Sequence, residues 1–427
     1  MNPAAMSPSD ILALGARADA MLDELARISA EPGRLVRLYL TPEHRRAADL
    51  VAGWMRQAGM VVSEDALGTV RGHFSAGASP DDAKAPRLLV GSHIDTVVDA
   101  GRYDGPLGVV AGILAVDHFS GGGQALPFGI DVLAFGDEEG SRFPSTLTTS
   151  AACVGAFDPA TLGFADRNGV TFAEALKTYG KNAQDIPAAA YRRDEVAGYV
   201  EVHIEQGPVL EQENEPLGVV TGIVGQSRLR VVVTGEAGHA GTVPMELRRD
   251  ALAGAAELIL AVERIAREHA ADRVVATVGR IEAAPGAVNI IPARVAFTVD
   301  VRAMSDEVRR SAVEQIEAEG WRVVEARGLQ VAFEPFHEAV TAECDLTLQN
   351  TLAAAIVDLG HRVPPRLPSG AGHDAQMMAK LCRSAMLFVR CRGGISHNPA
   401  EYASPADIGL AIAALIRFIE RFAPGRA

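Results

Sequence analysis

RLLVGSHID, residues 87–95, is a short apolar run that stops abruptly at Ser92, His93 and Asp95. A continuous apolar stretch bounded by polar residues reads as a strand buried on both faces. The form recurs in GIDVLAFG (129–136), followed by Asp137, Glu138 and Glu139, and in GYVEVHIE (198–205), which carries His203. It recurs again in AMLFVR (385–390), followed by GGISHNPAE with His397. Helical stretches lie between, such as 106–119 and 369–381. Buried strands separated by helices predict an α/β domain with a mixed, largely parallel sheet sandwiched by helices. Ahead of it stand two helices; the second opens at Thr41-Pro42-Glu43, with Thr41 as N-cap, and stops at Gly59.

Between 218 and 336 the rhythm changes. RLRVVVTG (228–235) alternates as a half-buried strand does, and 244–270 is a long amphipathic helix. RVVATVGRIEA (273–283) and ARVAFTVDVRA (293–303) read as strands, 305–320 as a helix and GLQVAFEPF (328–336) as a last strand. That order, β-α-β-β-α-β, is the ferredoxin-like unit. It is complete in itself, so it reads as a second, α+β domain, 218–336, inserted into a catalytic domain made of 1–217 and 337–427.

The chain of 427 residues is long enough for two such cores, and its 48% apolar residues can fill them. A formal net charge of −14 leaves no basic surplus for nucleic-acid phosphates or anionic membrane surfaces. Cys153, Cys344, Cys382 and Cys391 are scattered, without a C-x-x-C pair, and read as free thiols of a reducing compartment. The N-terminal stretch lacks the basic and apolar regions of a signal peptide, and no run of about 18 apolar residues is present to span a membrane. A cytoplasmic protein is the expectation.

Ligands of open α/β sheets bind beyond the carboxyl ends of the strands. There the sequence places His93 and Asp95, then Asp104 in YDGPLG, Glu138 and Glu139, His203 and His397. Taken singly, a strand-end His is more often a hydrogen-bonded residue, YDG a turn and two glutamates a helix's first turn. Four separate segments doing so at one edge point to a metal site. Three imidazoles with carboxylates suit Zn²⁺, Mn²⁺, Co²⁺ or Ni²⁺. His93, Asp104, Glu139, His203 and His397 are more ligands than one ion needs and fit two ions bridged by a carboxylate and a water. Glu138, left over, can take the water's proton and give it to a leaving nitrogen.

The longer motifs around these residues are GSHIDTVVDAGRYDGPLGVVAG (91–112), FGDEEGSRF (135–143), EVHIEQGPVLE (201–211) and GEAGHAGTVPMELRRDA (235–251). PGAVNIIPARVAFTVDVR (285–302), SGAGHDAQMMA (369–379) and GGISHNPAE (393–401) complete the set. In order, from about Thr41 to Glu401, they resemble the carbamoylase/allantoate amidohydrolase branch of the M20-type metallopeptidase family. The resemblance implies two divalent metal ions, with His93 and His203 on one, Glu139 and His397 on the other, and Asp104 as the bridge. It implies Glu138 as general base and then acid, and Asp95 as the carboxylate that orients the site. His239 is implied to reach in from a partner subunit and stabilise the tetrahedral intermediate. Gln206, Asn289 and Arg302 are implied to hold a small carboxylate-bearing substrate, within a homodimer whose inserted domain is both interface and mobile lid. Asn289, just ahead of the strand 293–303, and Arg302, at its end, could grip one anion; read without the resemblance, a turn at Asn289 and a surface ion pair at Arg302 are the favoured alternative. Arg248 and Asp250 match the family's RxDA pattern and are expected to form an ion pair. Thr69, His73, Thr149 and Arg390 depart from the residues more usual in the family; none is a ligand or the base.

The activity so implied is hydrolysis of the carbamoyl C–N bond of an N-carbamoyl-L-amino acid. Allantoate amidohydrolase, which attacks a ureido group on a similar anion, is the alternative, and a ureidopropionase-like amidase a further one. A dinuclear aminopeptidase would carry an acidic anchor for a free α-amine in place of Asn289 and Arg302.

Overall fold

The computed structural model describes residues 6–75, 85–122 and 125–424, so the first five residues of the N-terminal stretch lie outside it. The chain opens with α1 (Pro8–Ala26), α2 (Pro42–Gln57), β1 (Val61–Glu64), β2 (Val70–Phe74), β3 (Arg87–His93), α3 (Pro106–Gly122) and β4 (Gly129–Phe135). It continues with α4 (Thr148–Cys153), α5 (Phe172–Thr178), β5 (Val196–Ile204), α6 (Val209–Gln212) and β6 (Leu217–Ile223). Then follow β7 (Gly225–Thr234), β8 (Gly238–His239), α7 (Ala251–Glu268), β9 (Val275–Thr277), β10 (Ile281–Ala284), β11 (Ile290–Ile291), β12 (Arg294–Ala303), α8 (Asp306–Arg327) and β13 (Gln330–Ala339). The chain closes with β14 (Ala342–Glu343), α9 (Leu346–Asp358), β15 (Arg366–Ser369), α10 (Asp374–Met378), β16 (Ser384–Val389) and α11 (Pro405–Arg421).

Two compact units result, Met1–Thr221 with Glu343–Ala427, and Gly222–Ala342. The boundaries fall a few residues beyond 218 and 336 because β6 pairs with β16 of the first unit through Leu217, Gly218 and Val219.

The first unit is built on a nine-stranded sheet in the order β1-β2-β4-β3-β5-β16-β6-β14, with β15 beside β6. β4, β3, β5 and β16 run parallel, while β2 joins β4 and β6 joins β16 antiparallel. The sheet is therefore mixed. Every residue of β4, β5 and β16 is buried, which is why these strands stand in the sequence as unbroken apolar runs. Val90, Val132, Val202 and Leu387 of the four parallel strands pack into one core with α3 and α11. Each such side chain contributes about 1.5–3 kcal/mol by leaving water. α2 starts as expected, Thr41 Oγ1 accepting the His44 N–H at 3.2 Å with Pro42 in the first turn. α1 and α11 touch at Gly15 and Gly409. A Cβ on Gly15 would stand 1.7 Å from Pro405 O, and one on Gly409 2.1 Å from Ile11 O, so only glycine lets these backbones approach.

The unit 222–342 has an antiparallel sheet in the order β10-β12-β7-β13, with β9 also on β12. Leu229, Val231, Val233, Val295, Phe297 and Val299 point to one face and join α7 and α8 in a second core. Arg228 and Arg230 of β7, and Thr298, Asp300 and Arg302 of β12, alternate onto the other face. The chain order and strand order are those of a ferredoxin-like unit. RVVATVGRIEA is not one strand. Thr277 pairs with Asp300 and Ile281 with Phe297, so three residues face two, and the extra one makes a bulge at Val278–Arg280 around Gly279. The stretch 369–381 is likewise helical only from Asp374 to Met378, because His373 is extended (φ −151°) behind Gly370 and Gly372.

Candidate active site

β3 ends on His93, and Asp104 stands two residues ahead of α3. His93 Nδ1 lies 3.1 Å from Asp95 O and 3.4 Å from Asp95 Oδ1, which leaves Nε2 for the cluster. That Nε2 is 3.8 Å from Asp104 Oδ1 and 3.9 Å from Glu138 Oε2. His203, near the end of β5, keeps Nδ1 on the Ile204 carbonyl at 2.9 Å and presents Nε2 at 3.2 Å from Asp104 Oδ1. His397, left-handed at φ 54°, brings its Nε2 to 3.3 Å from Asp104 Oδ2 and 3.5 Å from Glu139 Oε2. Asp104 thus divides the cluster, Oδ1 turned to His93 and His203, Oδ2 to His397. Ligand atoms of His93, Asp104 and His203 lie within 4.8 Å of one another, as do those of Asp104, Glu139 and His397, and of His93, Glu138 and Glu139.

Asp95, 1% exposed, accepts the backbone N–H of Glu138 at 3.2 Å on Oδ1 and of Glu139 at 3.3 Å on Oδ2. One carboxylate therefore orients both the His93 ring and the glutamate pair. The pair follows Asp137, left-handed at φ 58°, whose Oδ2 accepts the Ser145 and Thr148 hydroxyls. Thr149, one of the departures noted above, braces the same turn: its hydroxyl donates to Gly136 O at 2.5 Å and accepts the Gly136 N–H at 3.0 Å.

The cluster is rich in carboxylate and, apart from the half-exposed His397, largely buried. Burial, with help from the carboxylates of Glu139, Asp374 and Asp95, holds Glu138 well above the usual carboxylate range despite His93. Burial and Asp104 push Glu139 up to about 7. The hydrogen bond to Asp104 raises His397 to about 9. Glu139 Oε1 and His203 Nε2 are buried without a hydrogen-bond partner among the described residues. Buried donor atoms left over in two overlapping His–carboxylate sets are what a pair of divalent cations satisfies. The residues fit such a pair.

Gln206, expected on the substrate, is turned to the bridge: its Nε2 donates to Asp104 Oδ2 at 2.8 Å. Ser396 and Glu401, both in GGISHNPAE, join the site through Asp104. Ser396 Oγ donates to Asp104 Oδ2 at 2.6 Å, and Glu401 Oε1 accepts the N–H of Tyr103 at 2.9 Å and of Asp104 at 3.1 Å. Their place directly before and four residues after His397 is the one sequence signal for them. Glu201 and His373 also stand near His203. Glu201 is spent on Ser92 Oγ, Tyr199 OH and the Ala375 N–H, and the His373 ring packs edge-on against His203 at 4.4 Å. Both steady β5.

In the unit 222–342, His239 (β8) is paired with Ile290 of β11, and the Ala240 N–H donates to Asn289 O at 2.9 Å. His239 and Asn289 are exposed neighbours on a ribbon that prolongs the β7–β12 pair beyond Thr234 and Arg294. Arg302 lies at the opposite end of β12, roughly 25 Å further at about 3.3 Å per residue. Asn289 and Arg302 of one protomer therefore cannot grip one small anion, contrary to the reading of them as a single hairpin clamp; an extended strand separates them. Arg302 is paired with Asp300, Nε to Oδ1 at 3.1 Å and Nη2 to Oδ2 at 3.0 Å. The expected Arg248–Asp250 ion pair is absent among the described residues. Asp250 caps α7 by accepting the Leu252 and Ala253 N–H groups, and Arg248 donates to Val243 O at 3.0 Å and Ala240 O at 2.6 Å, holding the His239 loop.

A mixed α/β sheet with this cluster at its strand ends, interrupted by a ferredoxin-like unit, defines a hydrolase. The profile of Peptidase family M20/M25/M40 matches residues 89–421, and the chain belongs to that family. It is 41% identical to the allantoate deiminase of Arabidopsis thaliana, over 94% of this chain and 81% of that protein. It is 39% identical to the N-carbamoyl-L-amino acid amidohydrolase of Geobacillus stearothermophilus, over 95% and 97%. The crystal structure of an amidase of the hydantoinase/carbamoylase family from Burkholderia multivorans superposes with a TM-score of 0.86 at 34% identity, covering 95% of this chain and 97% of that one. Within the family the chain is thus an amidohydrolase of linear C–N bonds.

Proposed function

We propose that the chain hydrolyses the carbamoyl C–N bond of N-carbamoyl-L-amino acids, releasing ammonia, carbon dioxide and the free amino acid. The observation that carries this reading is the division of Asp104, one oxygen toward each His–carboxylate set. His93 and His203 would hold one divalent cation, Glu139 and His397 a second, and Asp104 both, with Zn²⁺, Mn²⁺, Co²⁺ and Ni²⁺ as candidates. Bound there, such a pair lowers the pKa of a water and polarises the substrate carbonyl.

The chain's own groups do the rest. Glu138 is no member of either bridging set, and its carboxylate, 3.9 Å from His93 Nε2, is free to accept a proton from water and return it to the leaving nitrogen. Asp95 keeps that carboxylate in place through two backbone N–H groups. Arg302 pairs with the substrate carboxylate. His239 and Asn289 act on the carbonyl end from a second copy of the chain, since β12 separates them from Arg302 of their own protomer. The reading therefore requires a homodimer, with the unit 222–342 as interface and lid. Free thiols at all four cysteines accord with a reducing cytoplasm, and no helix among the described residues is long and apolar enough to cross a membrane.

The substrate choice leans on the Geobacillus relative. The Arabidopsis relative, named for allantoate, supports allantoate hydrolysis as the second reading. Ammonia release from a panel of N-carbamoyl-L-amino acids and from allantoate, at equal concentration with Mn²⁺ added, separates the two. Turnover of allantoate alone overturns the first reading, and inertness to both overturns each.

A further inference from the structure

Asp104 and His397 stand on two stretches far apart in the chain, 100–105 and 394–402, and these meet at Glu401. Glu401 is 5% exposed and sits four residues after His397, on a turn closed by its own N–H on Asn398 O at 3.0 Å. Its side chain crosses to the other stretch, where Oε1 accepts the N–H groups of Tyr103 at 2.9 Å and Asp104 at 3.1 Å. Oε2 stays on its own side, 3.1 Å from the Oγ of Ser396, the residue before His397. One carboxylate thus touches the backbone of the bridging residue and the neighbour of a second ligand.

The crossing needs room, and Gly101 leaves it. A Cβ at residue 101 would stand 2.3 Å from Glu401 Cδ and Oε1 and 2.4 Å from Glu401 Cβ. Gly101 is not in the left-handed region, so its backbone would accept alanine. The niche for Glu401, not the turn, calls for glycine there. The rings of Tyr103 and Tyr402 meet edge-on at 6.2 Å beside the crossing and close a second contact between the stretches.

We propose that Glu401 is a positioning residue that locks the Asp104 and His397 stretches to each other before any cation arrives, so that both His–carboxylate sets are pre-formed. The inference rests on the assignment of Asp104 and His397 to a cation pair. His397, with its side chain 51% exposed, is the least confined of the five ligands and has the most freedom to lose on binding. Tying its stretch to Asp104 through two charge-assisted hydrogen bonds removes part of that freedom in advance.

The test compares the metal-free protein with its Glu401→Ala, Glu401→Gln and Gly101→Ala variants. Calorimetric titration with Mn²⁺ reads cation affinity, hydrogen exchange without metal reads the stretches 100–105 and 394–402, and the urea midpoint reads the fold. Glu401→Ala is expected to weaken Mn²⁺ binding by roughly 10- to 100-fold and to speed exchange in both stretches together. Gly101→Ala should do the same with the carboxylate still present, because its methyl group takes the niche. Glu401→Gln keeps an oxygen for the two N–H groups and should stay close to the wild type. Unchanged Mn²⁺ affinity in Glu401→Ala, faster exchange in only one stretch, or a glutamine variant as weak as the alanine one would each overturn the inference. So would a loss of affinity that merely follows a fall in the urea midpoint. If the wild type itself takes up fewer than two Mn²⁺ per chain, the cation pair fails, and the inference with it.

Discussion

The carboxamide of Gln206 donates to Asp104 Oδ2 at 2.8 Å from a residue held left-handed at φ 56°. With Ser396 Oγ at 2.6 Å on the same oxygen, it fixes the direction in which the bridging carboxylate points. Gln206→Ala should therefore weaken Mn²⁺ binding by roughly 10- to 100-fold, the usual toll for losing a partner of a metal ligand. Calorimetric titration with Mn²⁺ reads this directly. Unchanged cation affinity beside a raised KM would return Gln206 to the substrate.

Glu138 and Glu139 are neighbours in the chain with different neighbours in space. Glu139 Oε2 faces His397 at 3.5 Å, whereas Glu138 Oε2 faces His93 at 3.9 Å. Glu138→Gln should retain both metals by elemental analysis and lose about 10²- to 10⁴-fold in kcat. A variant that arrives without metal would show the two roles to be exchanged.

Gly409→Ala tests the α1–α11 crossing. The added carbon would stand 2.1 Å from Ile11 O, a backbone atom that cannot swing aside. Overpacking of this kind costs about 1–3 kcal/mol or more, so the urea midpoint of the variant should fall clearly. An unchanged midpoint would mean that the helices are not so closely packed.

Acid should loosen the unit 222–342 through Arg309. This fully buried guanidinium donates to Asp306 Oδ1 at 3.0 Å and Glu338 Oε1 at 2.7 Å. Burial alone would raise both carboxyls, but the hydrogen bonds from Arg309, helped by Thr341 at Asp306 and Ser227 at Glu338, outweigh it and hold both below their usual range. A depressed folded pKa means stability that is present above the unfolded value and lost as pH falls through the folded one. Denaturant melts should therefore be steady from neutrality to about pH 5 on this account and weaken below about pH 4. Arg309→Met should be less stable at pH 7 and show a shallower decline. An equally steep decline in the variant would assign the acid sensitivity elsewhere.

The strands that carry the cluster were readable because burial on both faces writes an apolar run and an abrupt polar end, as at Val90 to His93 or Leu133 to Asp137. Strand-end position was enough to gather His93, Asp104, Glu138, Glu139, His203 and His397. What escaped depends on partners distant in the chain. Nothing local in Gln206 says that it bonds Asp104, or in Glu401 that it holds the Tyr103–Asp104 backbone. Asn289 and Arg302 misled for the opposite reason. Thirteen residues look like one hairpin on paper, and a straight ten-residue strand turns them into opposite ends. The bulge at Gly279 and the short α10 were hidden in the same way, since a glycine in an otherwise regular pattern marks a break without saying how large it is.

The distance between His239 and Arg302 has a consequence for mixtures. If each catalytic centre borrows one of them from the other copy, two crippled enzymes can repair each other. In a dimer of a His239→Ala chain with an Arg302→Ala chain, both lesions fall in one centre and the other is intact. Random reassortment of equal amounts, assayed at low substrate, should then restore roughly a quarter of the native rate, whereas either variant alone stays far below it.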